Sequence, residues 1–124
     1  MDLSELILAY SLVLMLPVMM VPFGLVFRYR PPKSINQAYG HRTGRSTESQ
    51  EAWDFAHAHF GRLWMNLGTV MLPASAAAAV LMRSTDSIWT AVLILMIIQT
   101  VIMTAPILLT EKALKERPRD RFNL

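Results

Sequence analysis

Three long apolar runs dominate the chain, and one long and one short polar segment separate them. The runs cover about residues 3–27, 63–82 and 88–109. Each has the roughly 20 apolar residues that an α-helix needs to cross the hydrocarbon core of a bilayer. The pattern therefore predicts a single membrane domain, residues 1–124, of the all-α class with three transmembrane helices. A soluble domain of 124 residues is too small to cover three such helices.

The first apolar run is predicted to be a retained span and not a cleaved signal peptide. Asp2 and Glu5 stand where a signal peptide carries basic residues, and Arg28 follows the run directly. No pattern of small residues marks a cleavage site.

The polar segment of residues 31–61 lies between the first two spans and has its own helical signal. Thr47 and Gln50 have the spacing of a capping box, and an amphipathic pattern follows them. We expect a cytoplasmic amphipathic helix that begins near Ser46 or Thr47 and lies at the headgroup level. At Gly61 it either bends or continues straight into the second span.

Composition agrees with a membrane protein. Hydrophobic residues make up 53% of the chain and charged residues 17%, whereas soluble domains carry about 25% charged residues. The absence of cysteine excludes a disulfide framework and any thiolate metal or redox site.

The basic residues predict an orientation. Eleven of the twelve Lys and Arg residues lie between Arg28 and Arg62 or in the C-terminal tail, residues 111–124, and the remaining one is Arg83. With three spans, the first loop and the tail share one side of the membrane, which the positive-inside rule makes cytoplasmic. We therefore expect the N-terminus outside and the C-terminus in the cytoplasm. Because the basic residues flank spans, anionic lipid headgroups are a simpler partner than nucleic acid.

Arg42 and Arg45 suggest a cationic site for a carboxylate or a phosphate, since the guanidinium group offers a planar, bidentate fork. The candidate ligand-binding residues of this segment are Lys33, Asn36, Tyr39, Arg42, Thr43, Arg45, Glu51, Trp53 and His57. The alternative is that the arginines anchor the loop to lipid and pair with nearby carboxylates, with Trp53 as an interfacial anchor.

The histidines His41, His57 and His59 are weak candidates for a metal site. His57 and His59 are two residues apart, which places them on different sides of a helix, so that chelation by both is difficult. Histidines at a helix surface or interface are the favoured interpretation, and no cofactor is expected.

Three polar residues, Asn66, Gln99 and Thr100, fall inside the second and third spans. Such side chains are costly against lipid, so we expect them to face each other, another protomer or a polar cavity. Catalysis receives little support, because the chain has no Gly-rich phosphate loop, no nucleophile elbow and no acidic residue within the predicted spans apart from Glu5 at the start of the first.

The string PPKSINQAYGHRTGRSTESQEAWDFAHAHFGRLWMNLG, residues 31–68, resembles the signature of the SdpI family of small bacterial membrane proteins. The departures are His41, where Tyr is common, and Thr47, where Met is common. The matching positions are Pro31, Pro32, Lys33, Ile35, Asn36, Tyr39, Gly40, Arg42, Thr43, Ser46, Glu51, Trp53, Ala56, His57, Gly61 and Arg62.

The resemblance implies a multi-pass protein of the bacterial inner membrane that works by binding, in immunity to a peptide toxin or in membrane signalling. The family's founding member looks like an immunity protein that protects a producer from its own secreted peptide toxin, and it is implicated in holding a cytoplasmic repressor at the membrane. The implied partners are the bilayer, a peptide toxin or cytoplasmic regulator, and a second copy of the chain. The alternatives are a small homo-oligomeric transporter or channel and, more weakly, an enzyme at the membrane interface.

Overall fold

Three long α-helices form the protein. A computed structural model describes residues 2–36 and 40–117. The helices are α1 (Leu3–Tyr29), α2 (Gln50–Met82) and α3 (Ile88–Glu116), and no strand occurs within the described ranges. All three are long and apolar enough to cross a membrane, which confirms the prediction of an all-α protein with three membrane-spanning helices.

The amphipathic segment predicted before the second span forms the first turns of α2, which continues through Gly61 without interruption. The helix begins at Gln50, three or four residues later than predicted. Ser49 is the N-cap, and its hydroxyl accepts a hydrogen bond of 3.0 Å from the Ala52 amide. The Thr47 hydroxyl instead donates to backbone carbonyls of the preceding turn, and for this reason the predicted capping box does not form.

Helices α1 and α2 cross with their backbones in contact at two glycines. A Cβ atom on Gly24 would lie 2.5 Å from the backbone nitrogen of Met65, and one on Gly61 would lie 2.5 Å from that of Arg28. No real side chain tolerates such distances, so only glycine permits this approach. The crossing places the C-terminal turns of α1 beside the N-terminal half of α2.

The core has two parts, one toward each end of the bundle. At one end, Ala9 and Val13 of α1 pack with residues of α2 and α3, including Met82 and Ile88. At the other end, Leu114 of α3 packs against the start of α2. We call this second region the loop end, and we define it as residues 30–49, the first four turns of α2 and the last two turns of α3.

Candidate functional site

The first half of the connecting loop is held on α2 by side chains from the first turns of that helix. The indole nitrogen of Trp53 donates to the carbonyl of Pro32 over 2.7 Å, and the amide of Gln50 donates to the carbonyl of Lys33 over 2.7 Å. Trp53 is fully buried. Both bonds satisfy carbonyl groups that an irregular loop would otherwise leave unpaired.

His57 fixes the middle of the loop. The ring is fully buried. Its Nδ1 lies 2.8 Å from the carbonyl of Trp53, and its Nε2 accepts a hydrogen bond of 2.9 Å from the backbone amide of His41. A carbonyl can only accept, so Nδ1 carries the proton and the ring is neutral. His57 thus acts as a buried clamp for the backbone of the loop.

Gly40 permits this contact in two ways. Its φ of +115° is a conformation that favours glycine. A Cβ atom at this position would also overlap with Nε2 of His57. The loop therefore reaches the histidine only because residue 40 lacks a side chain.

Ser46 holds the second half of the loop. Its side chain is fully buried, and its hydroxyl lies 2.8 Å from the carbonyl of His41, to which it donates. The same oxygen accepts a hydrogen bond of 2.8 Å from the backbone amide of Thr43. This turn brings residues 41–46 into one compact unit on the helix.

Glu111 of α3 and Arg117, the residue directly after α3, form ion pairs with other parts of the loop end. A Glu111 carboxylate oxygen lies 3.4 Å from Nε2 of His41, and the other oxygen lies 3.9 Å from Nε of Arg45. Arg117 lies 3.8 Å from the Glu51 carboxylate. Burial lowers the pKa of His41 below its ordinary value, although the nearby Glu111 acts in the opposite direction. Burial therefore favours the neutral form of His41.

The structure divides the predicted ligand-binding residues into two groups. Trp53, His57 and Thr43 are part of the scaffold that holds the loop, Asn36 donates to the carbonyl of Ser34, and Glu51 pairs with Arg117. The exposed cations are Lys33, Arg42 and Arg45. Tyr39 lies outside the described residues.

Arg42, like Lys33, forms no ion pair with any part of residues 2–36 and 40–117, whereas Arg45 lies 3.9 Å from Glu111. Arg42 lies between the His41 amide, which His57 binds, and the turn that Ser46 closes. Its backbone is consequently fixed on both sides while its side chain remains exposed.

The three histidines do not come together as metal ligands. Within the described ranges, no group of three or more His, Asp or Glu side chains has the geometry of a metal site. Both ring nitrogens of His57 are occupied by backbone groups, and Nδ1 of His59 lies 3.0 Å from the hydroxyl of Thr110.

The polar residues within the spans lie in different surroundings. Gln99 is buried, and its amide nitrogen donates to the Val13 carbonyl over 2.7 Å and to the Ser75 hydroxyl over 2.8 Å. Asn66 and Thr100 are exposed on the outside of the bundle. The three side chains therefore do not line a common path within one protomer.

Sequence reasoning missed the contributions of α3 to the loop end. Thr110 and Glu111 mark the end of the third apolar run, and that position is the only signal that the sequence offers for them. Their partners, His59 and His41, lie far away in the sequence. Only the packing of α3 against the loop brings these pairs together.

The fold and the loop end define a multi-pass α-helical membrane protein whose first loop is bound tightly to its second span. The model of the SdpI/YfhL protein family matches residues 33–110, which include most of the loop, all of α2 and most of α3. The chain therefore belongs to the SdpI/YfhL protein family.

A relative in Bacillus subtilis (strain 168) supports this assignment. The chain is 36% identical over 97 residues to the uncharacterized protein YfhL of that organism, and the match covers 78% of this chain and 80% of the relative. No solved structure matches the chain.

Proposed function

We propose that the protein acts by binding a ligand at the loop end, in immunity to a peptide toxin or in membrane signalling. The observation that supports this function best is the contrast between the fixed backbone of residues 40–46 and the exposed side chains of Arg42 and Arg45. A loop that only anchors the protein to lipid needs positive charge but no buried clamp. A recognition site needs its contact groups held in place before the ligand arrives.

The ligand is an acidic group on a peptide or on a regulatory protein. Arginine presents a planar fork that matches a carboxylate or a phosphate, and such charge-assisted bonds are about twice as strong as neutral ones. Arg42 lies beside His41, whose burial favours the neutral form, and Lys33 adds a third exposed cation to the same loop. His57, Ser46 and Trp53 act as positioning residues that do not touch the ligand.

The excess of basic residues in the first loop and the tail supports a cytoplasmic position for this site. A binding site there suits a cytoplasmic regulator that the protein holds at the membrane. It also suits a toxin that has entered or crossed the bilayer. The exposed cations on the loop support both possibilities, and both agree with the roles that the resemblance to the family implies.

The test compares arginines at opposite ends of the bundle. Arg42→Ala is expected to lower the survival of a toxin-sensitive bacterium that carries this gene and is challenged with a secreted peptide toxin, while the amount of protein in the membrane stays unchanged. Arg42→Lys is expected to restore survival only in part, because an ammonium group cannot form the bidentate contact. Arg83→Ala, in the turn between α2 and α3 at the other end, is the matched control. Equal effects of Arg42→Ala and Arg83→Ala would contradict a specific site.

A further inference from the structure

A second basic surface lies between α1 and α2, apart from the loop. It is a groove of about 340 Å³, lined by Arg28, Tyr29, Phe55, Ala58, His59 and Arg62. Arg28 lies in the last turn of α1, and Arg62 lies in α2. The contact of Gly24 with Gly61 brings these two arginines, from different helices, to the same groove.

The positive charge of this groove is uncompensated. No acidic side chain lines it, and neither Arg28 nor Arg62 forms an ion pair within the part of the chain that the structure describes. The neighbouring groove, around Arg30 and Lys33, differs because Asp54 contributes to its wall. Two guanidinium groups in one concave site without a carboxylate attract an anion.

The groove lies at the boundary between the apolar and polar parts of both helices. Arg28 directly follows Phe27, the last residue of the first apolar run, and Arg62 directly precedes Leu63, the first residue of the second. This boundary coincides with the headgroup region when the apolar runs fill the hydrocarbon core. Leu25, one helical turn before Arg28, is 40% exposed and extends the surface on the apolar side.

We propose that this groove binds the phosphate of an anionic phospholipid. Arg28 and Arg62 bind the phosphate oxygens from two sides, as planar donors do with phosphate. Tyr29 and Phe55 form apolar walls, and the Arg28 guanidinium already lies 5.0 Å from the centre of the Tyr29 ring. The acyl chains follow the exposed surface of α1 toward Leu25. The bound lipid joins α1 to α2 beside their glycine contact.

The experiment measures lipid binding by the purified full-length protein in an uncharged detergent. The probes are phosphatidylglycerol and phosphatidylcholine that carry the same fluorophore on an acyl chain. Phosphatidylglycerol is expected to bind more tightly. Arg28→Gln and Arg62→Gln are each expected to weaken its binding about tenfold, the effect of removing one hydrogen bond to a charged group. Arg83→Gln removes the same charge at the other end and is expected to leave binding unchanged.

Two further measurements separate this proposal from its rivals. Ala58→Glu adds a carboxylate to the groove at an exposed position and is expected to abolish the preference for phosphatidylglycerol. Because this variant keeps both arginines, it tests the groove even if loss of an arginine affects folding. Inorganic phosphate at millimolar concentration is expected to compete poorly. Any one of four results would overturn the proposal. Two concern the lipids: equal binding of both lipids, or full displacement by inorganic phosphate. Two concern the variants: equal losses in Arg62→Gln and Arg83→Gln, or unchanged binding in Ala58→Glu.

Discussion

The side-chain amide of Gln99 donates a hydrogen bond of 2.7 Å to the backbone carbonyl of Val13, across the boundary between α3 and α1. In a regular helix, this carbonyl accepts from the amide of the residue four positions later. That residue is Pro17, which has no amide hydrogen. Gln99 therefore supplies the hydrogen-bond donor that Pro17 lacks. Its second hydrogen bond, to the Ser75 hydroxyl, joins α2 to the same contact.

Gln99→Leu is expected to lower the free energy of unfolding by about 1 kcal/mol. This value lies between the average for hydrogen bonds between membrane helices and the full cost of a buried, unpaired carbonyl. Thermal unfolding in detergent measures the change. Thr100→Val is the matched control, because among the described residues the exposed Thr100 hydroxyl bonds only to the carbonyl of Met96 in its own helix.

The double variant Pro17→Ala, Gln99→Leu tests the reason for that loss. Alanine at position 17 restores an amide donor for the Val13 carbonyl within α1. The double variant is therefore expected to be more stable than Gln99→Leu alone. If Pro17→Ala gives no recovery, the Val13 carbonyl is not the group that needs Gln99.

Gly40→Ala is expected to release the loop from α2. The positive φ alone costs a non-glycine residue about 1–3 kcal/mol, and the new Cβ would overlap with the His57 ring. Faster hydrogen exchange at residues 41–47, together with a lower midpoint of thermal unfolding, is the predicted result. Gly44→Ala is the control, since a Cβ there meets no atom within 4 Å. Similar effects of the two variants would show that the Gly40–His57 contact does not hold the loop.

Stability is expected to fall in acid because of His41. Its pKa is lower in the folded protein than the ordinary value of about 6.5, so the unfolded chain takes up a proton at a higher pH. The contribution of His41 to the free energy of unfolding is complete above that ordinary value. It is lost progressively as the pH falls toward the pKa of the folded state. The midpoint of thermal unfolding should therefore be lower at pH 5 than at pH 7.5.

Two variants assign this pH dependence to the loop end. His41 faces Glu111, which also lies near Arg45, and the other titratable groups that act on His41 are His57 and His59. His41→Phe keeps a ring beside Phe60, 5.1 Å away in the native protein, and should reduce the difference between pH 5 and pH 7.5. Glu111→Gln removes the carboxylate that raises the pKa of His41 and should therefore enlarge the difference between pH 5 and pH 7.5. If His41→Phe shows the same difference between pH 5 and pH 7.5 as the native protein, a group other than His41 causes the pH dependence.

The predicted topology has a direct test. The C-terminus is expected in the cytoplasm and the N-terminus outside, since eleven of the twelve basic residues share one side. A C-terminal fusion to alkaline phosphatase should be inactive, and a fusion to a fluorescent protein that folds only in the cytoplasm should be bright. High phosphatase activity would reverse the assignment.

The sequence by itself determined the three membrane-spanning helices, although the amphipathic helix that it also predicted is not a separate element. A span depends on the length of an apolar run, which is a local property, so the three runs predicted α1, α2 and α3. The motif of residues 31–68 also identified the family, because its residue types and spacing can be read without coordinates. The start of α2 was harder to predict, since Ser49 and Thr47 are both suitable caps. The bonds of Thr47 to the preceding turn decide between them.

The tertiary structure alone decided which polar residues meet. Gln99 and Val13 are 86 residues apart, and His41 and His57 are 16 residues apart. The sequence predicted His57 as a ligand-binding residue, and only the structure showed that both nitrogens of its buried ring contact backbone groups. Hydropathy shows which residues avoid water but not which helix faces will pack together. That choice depends on the contact of Gly24 with Gly61 and on the polar groups that the buried interfaces must satisfy.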